Sequence, residues 1–542
     1  MHPNMNSHIL RSISLLAFLL LCFSTMSGQA WLNDASSFSP DPTLKPQDRF
    51  GTSGWMRDTM LVIGAPGNEY DHQGANRVFA SGAAYVYRKN QQGDWEFFQK
   101  LVAPIRHGAS AYGASVATDG EWVMVGAYLM KVDSVQGSTN VGEVYVYKMD
   151  GQDSLKYHST LLAPNPVPIQ EFGVSLALQE KRLLVGAKGE RRDLQEGDPL
   201  EDAGAAYYFE LENDSWNFKQ KLVASDRLKD GQFGASLVMD HAWAVIGSPT
   251  YDVPSPQGFD YFESGQAYVF EFDSTSRTWT ETQILRDQTI DFFGDYGRFL
   301  ALSGQQLMIG KPKESTLPSG QVFASPGGVE VYEVDSMAQW KLIQELSPPD
   351  LGRRTEFGHV AMQGDIALIG ALGADFVPES QDSVADAGAV YAFEKQSNGL
   401  WQQVNKFGAP TRRRFDGFGF HVLLNGPEAV VLSPYAAKDS VLYDAGAFYV
   451  FQRNWPLPLT PAQLPGITLH PNPAGQLLQL SYPGYTLESL RLFDLQGKQY
   501  SLPLQHQGES SRIHVSSLPT GLYVVQLRLS DGRYTHLKFL KA

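Results

Sequence analysis

Apolar residues along most of the chain form short runs that end at a small residue, and these runs recur at a nearly constant interval. The run "VIGAP" at 62–66 has counterparts in "MVGAY", "LVGAK", "VIGSP", "MIGKP", "LIGAL" and "VVLSP". An aromatic residue followed by glycine precedes each run. The glycines of these pairs are Gly51, Gly113, Gly173, Gly234, Gly297, Gly358 and Gly419. Their spacing of 60 to 63 residues indicates a repeat architecture with seven copies.

Each repeat predicts four short β-strands. The segment "SGAAYVY" at 81–87 recurs in every copy, and its alternation has the two-residue period of a strand. Dipeptides such as "DG", "SG" and "QG" fit the tight turns of hairpins. A four-stranded sheet cannot bury both of its faces alone. We therefore predict an all-β fold in which seven sheets pack as the blades of a seven-bladed β-propeller.

Closure of the ring is the weak point of this count. After the seventh "AGAFYVF" the chain reaches only "QRNW" before a proline-rich stretch, whereas the segment that begins at Trp31 has no place in the first repeat. We expect the Trp31 segment to supply the outer strand of the last blade, which would join the two ends of the ring. An outer strand from 455–465 is the alternative, although proline removes ladder donors there.

The order "FG", "VGAP", "GAVYVY" and then tryptophan with "QKLVAP" resembles FG-GAP repeats, the β-propeller units of the integrin α-subunit head. The resemblance covers roughly residues 31–455. It implies a propeller fold and is much less specific for function. Integrin-type repeats often hold calcium in a loop rich in aspartate, but the turns here, such as "ATDGEW" and "LQEKR", offer one or two carboxylates each. We therefore expect no metal and no cofactor.

The two ends of the chain predict export. Residues 1–30 combine Arg11, an apolar core too short to span a membrane, and small residues before a cleavage point, which is typical of a signal peptide. Residues 456–466 form a proline-rich linker. Residues 467–542, with "PNP", "DLQGK" and "GLYVVQL", resemble the type IX secretion C-terminal sorting domain and predict a small Ig-like β-sandwich. The resemblance implies the type IX machinery as a partner and a location outside the cell or on the outer-membrane surface.

Composition narrows the function further. A formal net charge of −15 at pH 7 argues against nucleic acid as a partner, and no later apolar run is long enough for a transmembrane segment. The one cysteine, Cys22, lies in the predicted signal peptide. The mature chain therefore has no thiol for catalysis, disulfides or metal binding.

The glycine-rich runs have a structural explanation. A phosphate-binding loop needs a helix after the glycines and a lysine followed by serine or threonine, and a catalytic loop does not recur seven times. The histidines stand singly in different repeats. The aspartates Asp202, Asp386 and Asp444 recur at one position of the repeat, which favours a turn over a catalytic pair. We predict no catalytic residue.

In each repeat, the loop between the "VIGAP" run and the "SGAAYVY" segment is long and variable. We expect these loops to share one rim with the connections that lead from the fourth strand of one repeat to the first strand of the next. Exposed aromatic and arginine side chains there are of the types favoured at recognition surfaces. The ligand-binding candidates are Tyr70, Asp71, Arg191, Arg192, Tyr251, Tyr261, Arg353, Arg354, Arg412 and Tyr435. Arg298 and His359, each next to its repeat glycine, are candidates for the central channel.

These patterns favour a secreted or cell-surface binding or adhesion protein that presents its loop-rich face to a protein or glycan. Two alternatives stay open. One is an extracellular enzyme, or an enzyme-associated module, that acts on polysaccharide at the channel mouth near Arg298 and His359. The other is a structural component of a surface layer.

Overall fold

The computed structural model describes most of the chain as strands and turns, and no helix occurs in the described part. The described residues are 31–38, 44–91, 93–131, 140–151, 154–197, 199–254, 260–287, 293–313, 326–348, 354–375, 384–411, 413–437, 444–453, 466–494, 499–500, 504–529 and 534–541. The predicted signal peptide and nearly all of the predicted linker lie outside them. The chain divides into two compact units, Met1–Gln452 and Arg453–Ala542.

The described residues of the first unit form seven four-stranded antiparallel sheets. We number them sheet 1 to sheet 7 in the order in which their inner strands occur along the chain. Sheet 1 contains β2 (Ser53–Arg57), β3 (Met60–Ala65), β4 (Ala83–Lys89) and β5 (Trp95–Leu101). Sheet 2 contains β6 (Ser115–Thr118), β7 (Trp122–Ala127), β8 (Glu143–Asp150) and β9 (Ser154–Leu161). Sheet 3 contains β10 (Phe172–Gln179), β11 (Arg182–Ala187), β12 (Ala205–Glu212) and β13 (Ser215–Leu222).

The second half of the unit repeats this arrangement. Sheet 4 contains β14 (Ser236–Asp240), β15 (Trp243–Ser248), β18 (Gln266–Asp273) and β19 (Thr278–Leu285), with the short pair β16 (Val253–Pro254) and β17 (Asp260–Tyr261) in its loop. Sheet 5 contains β20 (Phe299–Ser303), β21 (Gln306–Lys311), β22 (Gly328–Val334) and β23 (Trp340–Leu346). Sheet 6 contains β24 (Phe357–Gln363), β25 (Ile366–Ala371), β26 (Ala389–Lys395) and β27 (Trp401–Phe407). Sheet 7 contains β28 (His421–Asn425), β29 (Glu428–Ser433), β30 (Ala447–Arg453) and β1 (Trp31–Phe38).

Strand β1 pairs with β30 at the outer edge of sheet 7. The prediction that the segment from Trp31 completes the last sheet is therefore confirmed. Each inner strand contacts the inner strand of the next sheet, and β28 contacts β2, so the contacts form a closed cycle. This is the all-β propeller arrangement expected from the repeats.

The aromatic residue of each "FG" pair anchors the packing between sheets. All seven of these rings are fully buried. They are Phe50, Tyr112, Phe172, Phe233, Tyr296, Phe357 and Phe418. A fully buried aromatic side chain contributes on the order of 2 to 3 kcal/mol from the hydrophobic effect. The recurrent aromatic is therefore a core residue and is not available to a partner.

The glycine in the "VIGAP" run is required by a close approach of two sheets. A Cβ added to Gly64 would lie 1.8 Å from the carbonyl oxygen of Gly113 in the next sheet. A Cβ added to Gly186 would lie 2.0 Å from the carbonyl oxygen of Gly234. No side chain fits at such distances, so the run is structural, as its recurrence indicates.

The joint between sheet 7 and sheet 1 departs from this rule. Leu432 takes the place of the glycine in sheet 7, and its side chain points at Gly54 of sheet 1, where a Cβ would lie 2.6 Å from Leu432 Cδ1. The same place in sheet 2 holds Val116, opposite Val125 as Gly54 is opposite Ile63. At the joint between sheets 1 and 2 the small residue, Gly64, lies in the second strand and the larger one, Val116, in the inner strand of the next sheet. At the joint between sheets 7 and 1 the large residue, Leu432, lies in the second strand and the small one, Gly54, in the inner strand.

One place on the inner strand, opposite the third residue of the "VIGAP" run, also differs around the ring. Ser53, Ser115 and Ser236 occupy it in sheets 1, 2 and 4, opposite Gly64, Gly126 and Gly247. Phe299, His359 and His421 occupy it in sheets 5, 6 and 7, opposite Gly310, Gly370 and Leu432. The outer strands carry a second link, in which a glutamine bonds both backbone groups of a residue at the start of the next outer strand, its first or second residue. These links are Gln99 to Leu155, Gln220 to Trp279, Gln283 to Trp340 and Gln344 to Trp401.

The second unit contains two four-stranded sheets whose buried side chains form one core. The first sheet contains β31 (Thr468–His470), β32 (Leu477–Ser481), β36 (Ser510–His514) and β35 (Leu504–Gln507). The second contains β34 (Gln499–Tyr500), β33 (Leu487–Asp494), β37 (Gly521–Leu529) and β38 (Tyr534–Lys541). The "PNP" turn joins the last strand, since Asn472 Oδ1 accepts a 2.8 Å hydrogen bond from the Leu540 amide.

Candidate functional site: the loop-rich rim

Two kinds of connection meet at one rim of the propeller. The loop between the second and third strands of a sheet hydrogen-bonds the connection that leads into the next sheet. The Ala109 amide donates to the Phe79 carbonyl at 2.9 Å, and the Gln232 amide donates to the Asp202 carbonyl at 2.8 Å. The predicted composite rim is therefore confirmed.

The three recurrent aspartates take part in these links. Asp202, Asp386 and Asp444 all have positive φ angles, of 47°, 52° and 49°. The backbone carbonyl of each accepts a hydrogen bond from an amide of the following connection. The Arg49 amide, for example, donates to the Asp444 carbonyl at 3.1 Å. Aspartate is among the few residues that tolerate this conformation. Their recurrence thus has a backbone cause, in agreement with the predicted turn.

A cavity of about 730 Å³ opens on the rim where sheets 1, 2 and 7 meet. Its lining residues come from the connections into sheets 1 and 2 and from the loops of all three sheets. The lining side chains with rings or charges are Lys45, Asp48, Arg49, Glu69, Tyr70, Arg77, Phe79, Tyr128 and Tyr435. The cavity thus brings together two of the predicted binding residues, Tyr70 and Tyr435, which are far apart in the sequence.

The position of Tyr70 is fixed by its own loop. The Tyr70 amide donates a 3.1 Å hydrogen bond to Asn68 Oδ1, and Asn68 is fully buried. Asn68 Nδ2 in turn donates to Asp48 Oδ2 at 2.9 Å. The ammonium of Lys45 lies 6.0 Å from the centre of the Tyr70 ring. The ring is half-buried and therefore presents one face to the cavity.

Tyr435, from the loop of sheet 7, also lines the cavity. Its ring makes an edge contact with Phe420, with centres 5.8 Å apart. Gly417 leaves room for it, because a Cβ there would lie 2.9 Å from Tyr435 Cδ2. Tyr435 is therefore held by packing and remains half-buried at the cavity.

The charges of the cavity are of three kinds. Asp48 is 1% exposed, and its Oδ2 accepts hydrogen bonds from the Lys45 amide and from Asn68 Nδ2. Arg77 Nε lies 2.5 Å from Glu69 Oε2, so this pair neutralises itself. Lys45 and Arg49 are exposed, and neither forms an ion pair with a side chain in the described part of the chain. Two cations near two tyrosine rings can accept an anionic or polar group from a partner.

Other predicted residues are occupied within the protein. Asp71 Oδ1 accepts from the amides of Gln73 and Ala75, both at 2.9 Å, and Oδ2 accepts from Asn76 Nδ2. The amide of Ala75 is the main cause that lowers the pKa of Asp71. Asp71 thus shapes the loop that carries Tyr70, and its oxygens are already used.

The arginine pair of sheet 3 is also internal. Arg192 Nε lies 3.2 Å from Glu190 Oε1, and its Nη1 lies 2.7 Å from Glu196 Oε2. Arg191 Nε is buried and has no hydrogen-bond partner among the described residues. These two side chains are separate from the cavity lining.

The expectation of an exposed Tyr251 is wrong. Only 5% of this residue is exposed, and its hydroxyl donates to Asp226 Oδ2 at 3.2 Å. The Arg286 guanidinium carbon lies 6.0 Å from the centre of the Tyr251 ring. Burial is the main cause that raises the pKa of Tyr251 to about 12. Tyr261, in β17, is half-buried and pairs with Val253.

Of the remaining arginines on the rim, Arg354 is exposed, whereas Arg353 and Arg412 lie outside the described residues. Arg354 is not among the residues that line the cavity. Lys45, Arg49 and Tyr128 line the cavity but are absent from the predicted set. A usable signal existed, since Lys45 and Arg49 lie in the connection that leads into the first "FG" pair and Tyr128 directly follows "VGA", which are both rim positions.

The channel candidates lie on neighbouring inner strands but differ in exposure. Arg298 is exposed and pairs with Asp295 Oδ2 at 3.0 Å. His359 is 4% exposed, its ring lies 3.8 Å from that of Phe299, and its Nδ1 bonds the Phe420 carbonyl. Burial lowers the pKa of His359 to about 3. A neutral and buried imidazole in this setting is a packing residue.

Two segments of the first unit, residues 95–147 and 216–270, match the FG-GAP repeat family. Each match begins at the outer strand of one sheet and ends in the third strand of the next. The chain carries FG-GAP repeats. The propeller described above is the form that these repeats take here.

Residues 468–541 match the secretion system C-terminal sorting domain. This domain directs type IX export, so the chain is sent to the extracellular space or the outer-membrane surface. The described residues include no helix with the length and apolar character needed to cross a membrane.

Solved structures resemble the fold at low identity. A candidate 6-phosphogluconolactonase from Bacteroides uniformis is 11% identical, with a TM-score of 0.41, and the match covers 67% of this chain and 86% of that one. A candidate 6-phosphogluconolactonase from Bacteroides fragilis is 10% identical, with a TM-score of 0.41 and coverage of 67% and 85%. Such distant similarity carries no argument about activity. No curated protein matches the sequence.

Proposed function

We propose that this FG-GAP protein is a secreted or cell-surface binding protein that holds a protein or glycan partner on its loop-rich rim. The observation that carries the proposal is the cavity between sheets 1, 2 and 7. It combines Tyr70 and Tyr435 with the exposed cations Lys45 and Arg49. The sorting domain supports a role outside the cell.

The chemistry of the lining favours recognition over catalysis. Tyrosine offers an apolar ring for sugar or side-chain stacking together with a hydroxyl for hydrogen bonds, at a low cost in conformational entropy. Lys45 and Arg49 add an attraction for carboxylate or sulfate groups in an otherwise acidic protein. A partner with a ring or flat side chain next to an acidic group fits this arrangement.

The cavity is also preformed. Asn68 fixes the backbone of Tyr70, Asp71 shapes the loop behind it, and Phe420 supports Tyr435. Side chains that are already ordered lose little entropy when a partner binds, which raises the affinity that a small contact area can supply. The rim therefore works by rigid presentation.

The proposal is tested with the propeller of the mature chain on glycan arrays and on arrays of extracellular proteins. We expect binding to a limited set of acidic or ring-rich partners, weakened by salt because Lys45 and Arg49 contribute charge. A propeller that binds nothing on either array would overturn the proposal.

Variants then locate the site on the rim. Tyr70→Ala and Tyr435→Ala should each weaken binding by about tenfold or more, and Arg49→Gln should weaken it less. Tyr157→Ala is the matched control, since Tyr157 is an exposed tyrosine on an outer strand, 48% exposed and away from the cavity. Equal losses in the control and the rim variants would contradict this location.

A further inference from the structure

The fifth sheet departs from the repeat at positions that meet in space. Lys311 stands where other sheets have the alanine or serine of the "GAP" mark. Glu330 stands where the others have the first tyrosine of "AYVY", as in Tyr85 and Tyr391. Asp287, just after β19 in sheet 4, stands where the first two sheets have alanine, at Ala103 and Ala163. Three changes at one contact between sheets point to a common cause.

The three side chains form a buried cluster. Lys311 Nζ lies 3.0 Å from Asp287 Oδ1 and 3.9 Å from Glu330 Oε1. Lys311 and Glu330 are fully buried, and Asp287 is 5% exposed. The carboxylate of Glu345 also contacts the Lys311 ammonium from the neighbouring strand. The Lys311 amine and the carboxyl groups of Asp287 and Glu330 thus lie together away from solvent.

Two tyrosines hold the acid of this cluster. Tyr296 donates to Glu330 Oε2 at 2.9 Å, and Tyr332 donates to the same oxygen. These bonds leave Oε1 on the side of Lys311. Burial is the main cause that raises the pKa of Glu330 to about 7, so a large fraction of this carboxyl group is protonated at neutral pH. Glu330 can therefore both donate and accept a proton.

Burying an ammonium and a carboxylate is expensive, on the order of several kcal/mol for each ion. Moving a proton from one to the other removes both charges and leaves an amine beside a carboxylic acid, which is a reactive pair. We propose that Lys311 and Asp287 condense to an amide bond that links sheet 4 to sheet 5, with Glu330 as the proton carrier.

The step balances without any outside reactant. The Lys311 ammonium gives a proton to Asp287, and the amine lone pair then attacks Asp287 Cγ to form a carbon–nitrogen bond. Glu330 donates its proton to the departing hydroxyl and receives one from the nitrogen. The carbon–oxygen bond breaks, one water leaves, and nothing is oxidised or reduced.

Asp287 is the partner in this step and Glu345 is not, because their surroundings differ. The side chain of Glu345 is 17% exposed and that of Asp287 only 3%. Condensation releases water, and an amide bond that lies away from solvent is protected from hydrolysis. Asp287 is the more deeply buried of the two carboxyl groups and is therefore the partner that can keep the bond.

Mass spectrometry of the intact recombinant full-length chain tests the proposal. We expect a mass lower than that of the sequence by one water, and a branched peptide that joins the fragments containing Lys311 and Asp287. The full mass, or a branch from Lys311 to Glu345, would overturn the assignment.

Variants separate the chemistry from folding. Lys311→Met and Glu330→Gln should restore the full mass, whereas Lys313→Gln should leave the link intact, because Lys313 is the nearby lysine paired with Asp295 at 2.8 Å. Asp287→Asn should still form the link with loss of ammonia, which gives the same final mass as the wild type. A mass for Asp287→Asn that equals its unlinked sequence would overturn the proposal even if every variant folds.

Discussion

The inner strands of sheets 1 to 4 and those of sheets 5 to 7 solve the same packing problem in different ways. In the first group a serine hydroxyl donates to the backbone carbonyl of the next sheet. These bonds join Ser53 to Gly113, Ser115 to Gly173, Ser175 to Gly234 and Ser236 to Gly297, at 2.8, 2.7, 2.7 and 2.5 Å. In the second group rings fill this place, with Phe299 on His359 and His359 on the Phe420 carbonyl.

The difference teaches that one structural position can be insensitive to pH in most of a ring and sensitive to pH in sheets 6 and 7. A serine hydroxyl does not titrate in the physiological range. A free imidazole titrates near pH ~6.5, and burial lowers the pKa values of His359 and His421 to about 3 and about 4. Both therefore stabilise the fold only as neutral rings, whereas the serine joints are unaffected by acid.

The largest expected effect is a loss of stability in acid. In the unfolded chain each histidine takes up a proton near its ordinary pKa of ~6.5, whereas in the fold it does so only at about 3 or 4. Stability therefore falls as the pH drops below about 6.5, by up to ~1.4 kcal/mol per pH unit for each histidine. Denaturant unfolding at several pH values measures this loss.

The double variant His359→Asn with His421→Asn is the control, because an amide keeps a hydrogen-bond donor but does not titrate. Carboxylates contribute equally to both proteins, so the difference between the two pH profiles isolates the histidines. Parallel profiles would show that the ring joints are no more sensitive to acid than the serine joints.

The next effect is the loss of one ring joint at neutral pH. His359→Ala removes a buried ring from Phe299 and leaves the Phe420 carbonyl without its donor, at a cost of about 2 to 4 kcal/mol in the free energy of unfolding. His359→Asn should recover part of this loss. Chemical denaturation of the three proteins measures it, and equal stability of the Ala and Asn variants would contradict a role for the hydrogen bond.

The smallest effect belongs to the serine joints. Ser115→Ala or Ser236→Ala removes one hydroxyl bond and leaves no cavity of note, so each should cost about 1 kcal/mol at both pH 7 and pH 5. The same unfolding measurement applies. A cost that changes with pH would break the distinction between the two groups of sheets.

Much of the fold could be predicted because its cause is local and repeated. The "FG" aromatic appears in the sequence at all seven joints and the "GAP" glycine at six of them, and the segment from Trp31 supplies the strand that the seventh repeat lacks. The backbone needs of these six joints are the same. A pattern in the sequence therefore translates directly into the arrangement of strands.

The site was harder to predict because rim side chains find partners across loops. Tyr251 is of a residue type that is common at binding surfaces, yet it is buried by Asp226 and Arg286, which come from other parts of the chain. Tyr70 and Tyr435 meet only because the ring closes. The sequence also marks Lys311 and Glu330 as departures from the repeat, but their proximity to Asp287 needs the structure.

The exchange of large and small residues at Leu432 and Gly54 gives the chain a means of counting its repeats. Every other joint with a glycine at this place could in principle accept any neighbouring copy. If sheet 6 closed onto sheet 1, Gly370 would face Gly54 and leave a hole the size of a leucine side chain. Only the last repeat supplies a leucine that fills this hole. A ring closed with too few sheets would therefore keep a cavity at the joint with sheet 1 and would be less stable.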